Sequence, residues 1–147
     1  MLSKFSNKII NLVDCIVSSP VTKIGRAEKY LANSEFLKTK NLNASCFDIL
    51  LLTINSNGNV YPCCAGLDQS HLINFGNIFN DDINSIVKNM QDNLLLKSLV
   101  FLGPSTILTY LKEKFKIEIN FYSMCHMCWS IFSNEEYVSE LKKGFNL

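Results

Sequence analysis

The apolar and polar positions divide the chain into a weakly patterned opening and a strongly patterned remainder. Before about residue 45, Ile9, Ile10, Val13, Ile16 and Val17 suit a short helix and a buried strand equally. Pro20 ends whatever precedes it. "GRAEKYLAN" reads as a short helix or turn, and "LKTKNLNAS" as a polar connector.

The pattern sharpens at "FDILLLTI" (47–54), a continuous apolar run of strand length. "SNGN" follows as a turn and "VYPCC" (60–64) as the return strand. Asn57-Gly58 predicts a two-residue type I′ hairpin turn, with positive φ at both positions. Pro62 has no N–H, so the return strand is an edge or stops there.

Beyond Gly66 the period becomes helical. Asp81 or Asp82 caps a helix carrying Ile83, Ile86, Val87, Met90, Leu94 and Leu95, predicted to run to about residue 100. Pro104 opens another, with Ile107, Leu108, Leu111 and Phe115 on one face. "IEINFYSM" reads as a short extended piece. Ser133 and Glu136 have capping-box spacing before a last helix that Gly144 is placed to end. The predicted class is α+β: a small antiparallel hairpin with helices packed around it.

Composition narrows the function. The chain has 147 residues, 48% apolar and 18% charged, which fits a single globular domain rather than a disordered one. A net charge of +1 with no basic run argues against nucleic acid, and no apolar run of about 18 residues argues against a membrane span. The opening "MLSKFSNKIINLVDCIVSSP" is interrupted by Asn11 and Asp14 and is not followed by a small-residue cleavage site. The expected location is the cytoplasm.

Six cysteines then carry the chemistry: Cys15, Cys46, Cys63, Cys64, Cys125 and Cys128. In a reducing compartment such a cluster more often serves a metal than a disulfide. Eleven residues separate Cys46 from Gly58, four separate Gly58 from Cys63, and Cys125-His126-Met127-Cys128 follows after a long gap. Thiolates from two such segments can surround one centre, either Zn²⁺ or an iron–sulfur cluster. Zinc ribbons usually present two short C-x-x-C knuckles, whereas one half here is widely split, which favours the larger cluster. The bland reading is four buried thiols acting as small hydrophobes.

Alternation in a strand lets only one of Cys63 and Cys64 face the centre. A turn at Asn57-Gly58 also sets Cys63 opposite Leu52, leaving Cys46 about 20 Å further along a straight strand. A shared centre therefore demands a bend that the pattern does not supply. Cys15 reads as core, His71 as solvated, and Arg26 as half of a surface ion pair. Trp129 reads as core, while His126 points outward or tunes the centre by a hydrogen bond.

The pattern C-x₁₁-G-x₄-C, a long gap and C-x-x-C resembles the C-terminal auxiliary-cluster region of radical S-adenosylmethionine enzymes, the SPASM domain or its shorter twitch form. "TINSNGNVYPCC", "FGNI", "GPSTIL" and "CHMCW" are similar to successive segments of that region. "SPVTKIGRAE" resembles the stretch that leads into it from the catalytic barrel. The resemblance covers residues 17 to 132 or so. It implies that residues 1–45 are a barrel-end segment plus linker and that residues 46–147 are the iron–sulfur domain.

The resemblance further implies that Cys46, Cys63, Cys125 and Cys128 ligate one auxiliary [4Fe–4S] cluster, with Cys63 preferred over Cys64. With no cysteine after Cys128, the chain resembles the single-cluster twitch form. The catalytic C-x₃-C-x₂-C and its barrel are not in the sequence, so this chain is not expected to generate a radical alone. The function implied is an auxiliary module for electron relay or substrate docking, with a barrel protein and a peptide or protein substrate as partners. The alternatives are a zinc-stabilised Cys₄ binding module and a nonfunctional gene fragment.

Overall fold

The computed structural model describes residues 21–39, 42–63 and 73–145. Cys15, Cys64 and His71 lie outside them. The described elements are α1 (Gly25–Tyr30), a 3₁₀ turn (Asn33–Glu35), a second 3₁₀ turn (Phe47–Leu50), β1 (Thr53–Ile54) and β2 (Val60–Tyr61). They continue with α2 (Ile83–Asp92), α3 (Leu94–Phe101), α4 (Pro104–Lys112), α5 (Met124–Phe132) and α6 (Glu135–Phe145). The class is α+β, as predicted.

β1 and β2 are antiparallel, with Thr53 opposite Tyr61 and Ile54 opposite Val60. The connection is not the predicted two-residue turn. Gly58 N–H donates to the Asn55 carbonyl and Asn55 N–H to the Asn59 carbonyl, each at 3.0 Å, which leaves a three-residue loop. Asn55 Oδ1 accepts from the amides of Asn57 and Asn59, so this side chain organises the longer loop. Gly58 takes φ +81°, and a Cβ there would lie 2.5 Å from the Phe79 ring. Both facts require glycine.

The run 47–54 is a strand only at its end. β2 stops at Pro62, which has no N–H to donate, so the residues before Thr53 have no partner to extend the ladder. They coil instead into the 3₁₀ turn, with Ile49 in the core and Phe47 and Leu50 outside. A segment the pattern missed supports β2 from its other edge. Val60 N–H donates to Gly76 and Phe75 N–H to Val60, both at 2.9 Å. Asn77 Nδ2 donates to the Asn57 carbonyl at 2.7 Å.

Asp82 caps α2, its Oδ2 accepting from Ser85 N–H at 3.0 Å. The single helix predicted to residue 100 is two helices broken at Asn93, whose ψ of 117° leaves the helical region. Asn93 Oδ1 accepts from Leu96 N–H at 3.0 Å, the local bond by which asparagine competes with a continuing helix. The break turns Leu95, Leu96, Leu99 and Val100 inward.

α4 starts at Pro104 as predicted and buries Ile107, Leu108 and Leu111, while Phe115 lies past its end. "IEINFYSM" contributes buried Ile117 and Phe121 without forming a strand. The predicted cap of the last helix is shifted by one residue. Ser133 closes α5, and Asn134 Oδ1 accepts from Glu136 and Tyr137 N–H to open α6. Gly144 sits inside α6, packed under the Tyr110 hydroxyl.

α3, α4, α5 and α6 pack in sequence order, and the second 3₁₀ turn lies on α3. One core runs through Ile49, Leu95, Leu99, Ile107, Leu111, Met127, Ile131 and Leu141, and it includes Cys63 and Cys128. Each fully buried aliphatic side chain contributes roughly 1.5–3 kcal/mol. Among the described residues, no single helix is long and apolar enough to cross a membrane.

Candidate metal centre

Three local devices position the four cysteines. Cys46 is held by the end of α3. The last carbonyls of a helix have no intrahelical donor; here Cys46 N–H donates to Leu99 O at 3.2 Å and Ser45 Oγ to Phe101 O at 3.3 Å. Gly103, at φ +79°, permits this approach, because a Cβ there would strike the Ala44 carbonyl.

Cys63 follows Pro62 at the end of β2 and is buried. The 3₁₀ turn between Cys46 and β1 supplies the bend that the sequence pattern lacked. Such a turn rises about 2.0 Å per residue against about 3.3 Å for a strand. The coil therefore shortens the path from Cys46 to the hairpin.

Cys125 and Cys128 lie in the first turns of α5, three residues apart and so on one helix face. Ser123 caps that helix, its Oγ accepting from His126 N–H at 3.1 Å. A helix N-terminus favours the thiolate form of nearby cysteines. Cys46 and Cys125 are partly exposed, whereas Cys63 and Cys128 are buried.

The four thiols share one electrostatic environment. Burial pushes the Cys128 thiol well above the ordinary range, and Cys46, Cys125 and Cys63 add to the rise in that order. Among the described residues, no three His, Cys, Asp or Glu side chains converge on a single-ion site. An all-sulfur donor set, brought from three places in the chain, suits a soft multi-iron centre.

His126 does not point outward. It is 3% exposed, its Nδ1 accepts from Tyr122 N–H at 3.1 Å, and its Nε2 lies 3.8 Å from Glu28 Oε1. Desolvation, with help from Lys23, holds its pKa below the ordinary histidine value, while Glu28 opposes the shift. Both ring nitrogens thus have neighbours other than the cysteines.

Trp129 is half-buried and donates to Glu28 Oε2 at 2.9 Å. Glu28 itself was not singled out by the sequence, since nothing local marks a contact 101 residues away. Arg26 is exposed and makes no ion pair among the described residues.

Comparison with known proteins adds two findings. The SPASM family model, an iron–sulfur cluster-binding domain, matches residues 46–129, more than half of the chain and a span holding all four of these cysteines. "Putative peptide biosynthesis protein YydG" of Bacillus subtilis is 28% identical over 153 aligned positions. The match takes in 92% of this chain and 47% of the relative, so the chain spans about half the relative's length.

Proposed function

Because the chain belongs to the SPASM family of iron–sulfur cluster-binding domains, we propose that Cys46, Cys63, Cys125 and Cys128 hold one [4Fe–4S] cluster. The protein then serves as an auxiliary module of a radical S-adenosylmethionine enzyme that modifies a peptide. The reading assigns residues 1–45 to a barrel-end segment and linker, and residues 46–147 to the cluster domain. The observation that carries it is the family match over residues 46–129, a span that holds these four cysteines in the spacing C-x₁₁-G-x₄-C and C-x-x-C.

When bound, such a cluster supplies one-electron transfer. The chain's own residues supply rigidity and shielding. The α3 end fixes Cys46, the Ser123 cap fixes the first turn of α5, and Met127 and Ile131 pack beneath it in the core. Four protein thiolates leave no iron open, which favours electron relay over direct substrate contact. Docking of a peptide beside the cluster is the companion role, and the name of the Bacillus relative supports a peptide as substrate.

Zinc is the second reading. A tetrahedral Zn²⁺ site needs its sulfurs roughly 3.8 Å apart. The wide split between Cys46 and Cys63, against the two short C-x-x-C knuckles of a zinc ribbon, favours the cluster instead.

The reading places radical generation outside these 147 residues, in a barrel carrying C-x₃-C-x₂-C. Reconstituted chain, reduced with dithionite and given S-adenosylmethionine, releases no 5′-deoxyadenosine, and a compatible barrel protein added in trans restores turnover. Cleavage by this chain alone, above a metal-free control, contradicts the assignment.

A further inference from the structure

α1 buries none of its residues, and Ile24 at its N-cap makes no side-chain bond. Its attachment to the cluster helix runs through Glu28. One carboxylate oxygen accepts from Trp129 Nε1 at 2.9 Å, and the other lies 3.8 Å from His126 Nε2. Because His126 Nδ1 accepts from the Tyr122 amide, the neutral ring carries its proton on Nε2, on the side facing Glu28.

The rest of the arm closes around the same place. Lys23 Nζ stands 4.8 Å from the Tyr122 ring centroid, and Phe36 packs edge-on against that ring at 5.9 Å. Thr39 N–H donates to the Tyr122 carbonyl at 2.7 Å. His126 follows Cys125 and Trp129 follows Cys128 in sequence, so a carboxylate beside both side chains addresses the turn that carries two of the four thiols.

We propose that Glu28 is a positioning residue that lowers the reduction potential of the cluster, by locking the first turns of α5 and by placing a fixed negative charge beside them. The proposal rests on the cluster reading above. A nearby anion disfavours the added electron, and hydrogen bonding and local charge are established levers on such potentials. Glu28 is 37% exposed at its side chain, so water reduces the size of the effect but not its sign.

The test is the midpoint potential of the reconstituted full chain, measured by anaerobic spectroelectrochemistry alongside iron content. Glu28→Gln keeps an oxygen for Trp129 to donate to and removes the charge; its potential should move to a more positive value with iron content unchanged. Glu28→Ala should move it further and red-shift the emission of Trp129, the chain's only tryptophan. Glu135→Gln, at the exposed start of α6, should leave the potential where it is. An iron-loaded Glu28→Gln protein with the wild-type potential overturns the role of Glu28 while the cluster reading stands. A wild-type chain that takes up no iron overturns the cluster reading itself, and this inference with it.

Discussion

The amide of Cys46 donates to the carbonyl of Leu99 at 3.2 Å, so a proposed cluster ligand is tied to the end of a core helix. Leu99 is fully buried, and its side chain and carbonyl thus serve packing and ligand placement together. Leu99→Ala should cost about 2–5 kcal/mol through the cavity it leaves. Urea unfolding of the metal-free chain measures this, and a change below about 1 kcal/mol would show that the site collapses freely.

The four proposed ligands should behave as a unit. Cys46→Ala, Cys63→Ala, Cys125→Ala and Cys128→Ala should each lose most of the bound iron, because an opened cluster meets solvent and oxygen. Cys15→Ala should keep it. Full iron in Cys125→Ala would remove the C-x-x-C from the site.

The choice of Cys63 over Cys64 is open to a direct test. The observed pairing of Thr53 with Tyr61 is shifted by one residue from the two-residue turn that the Asn-Gly pair predicts. Cys63 nevertheless lies in the same buried core as Cys128. Cys64→Ser should retain the visible absorption of the cluster and Cys63→Ser should lose it; the opposite result would transfer ligation to Cys64.

Acid should act on the α2 cap. The Ser85 backbone N–H is the main cause that holds the Asp82 carboxyl below its ordinary value of 3.8. The unfolded chain therefore takes up this proton at a higher pH than the folded chain. The cap's contribution is complete above the unfolded value and is lost as pH falls through the lower folded one. Asp82→Asn keeps an acceptor oxygen but cannot titrate, so its Tm should fall less steeply than wild type below about pH 4. Identical acid limbs would show that another group controls them.

Local signals in the sequence were legible where they met no competition. Pro104 opened α4 and Asp82 capped α2 as their chemistry requires. The caps at Asn93 and Asn134 carry no such mark, because each lies beside other capping residues, and only three-dimensional packing selects among them. The strand assigned to residues 47–52 failed for a non-local reason. An apolar run becomes a strand only where a partner offers donors, and Pro62 withdraws one.

The four candidate ligands could be chosen from cysteine spacing and family resemblance. The device that places Cys46 could not, since it depends on unpaired carbonyls at the end of a distant helix. Glu28 was hidden for the same reason. A single glutamate in a short helix carries no sign of a tryptophan and a histidine that only the fold brings to it.

The central claim is that one chain holds one [4Fe–4S] cluster through these cysteines. Anaerobic reconstitution, followed by iron and acid-labile sulfide analysis and electron paramagnetic resonance after reduction, tests it most directly. The account predicts a brown protein with about four iron and four sulfide per chain and a signal from the reduced cluster. A colourless chain that binds about one zinc and no sulfide would contradict it.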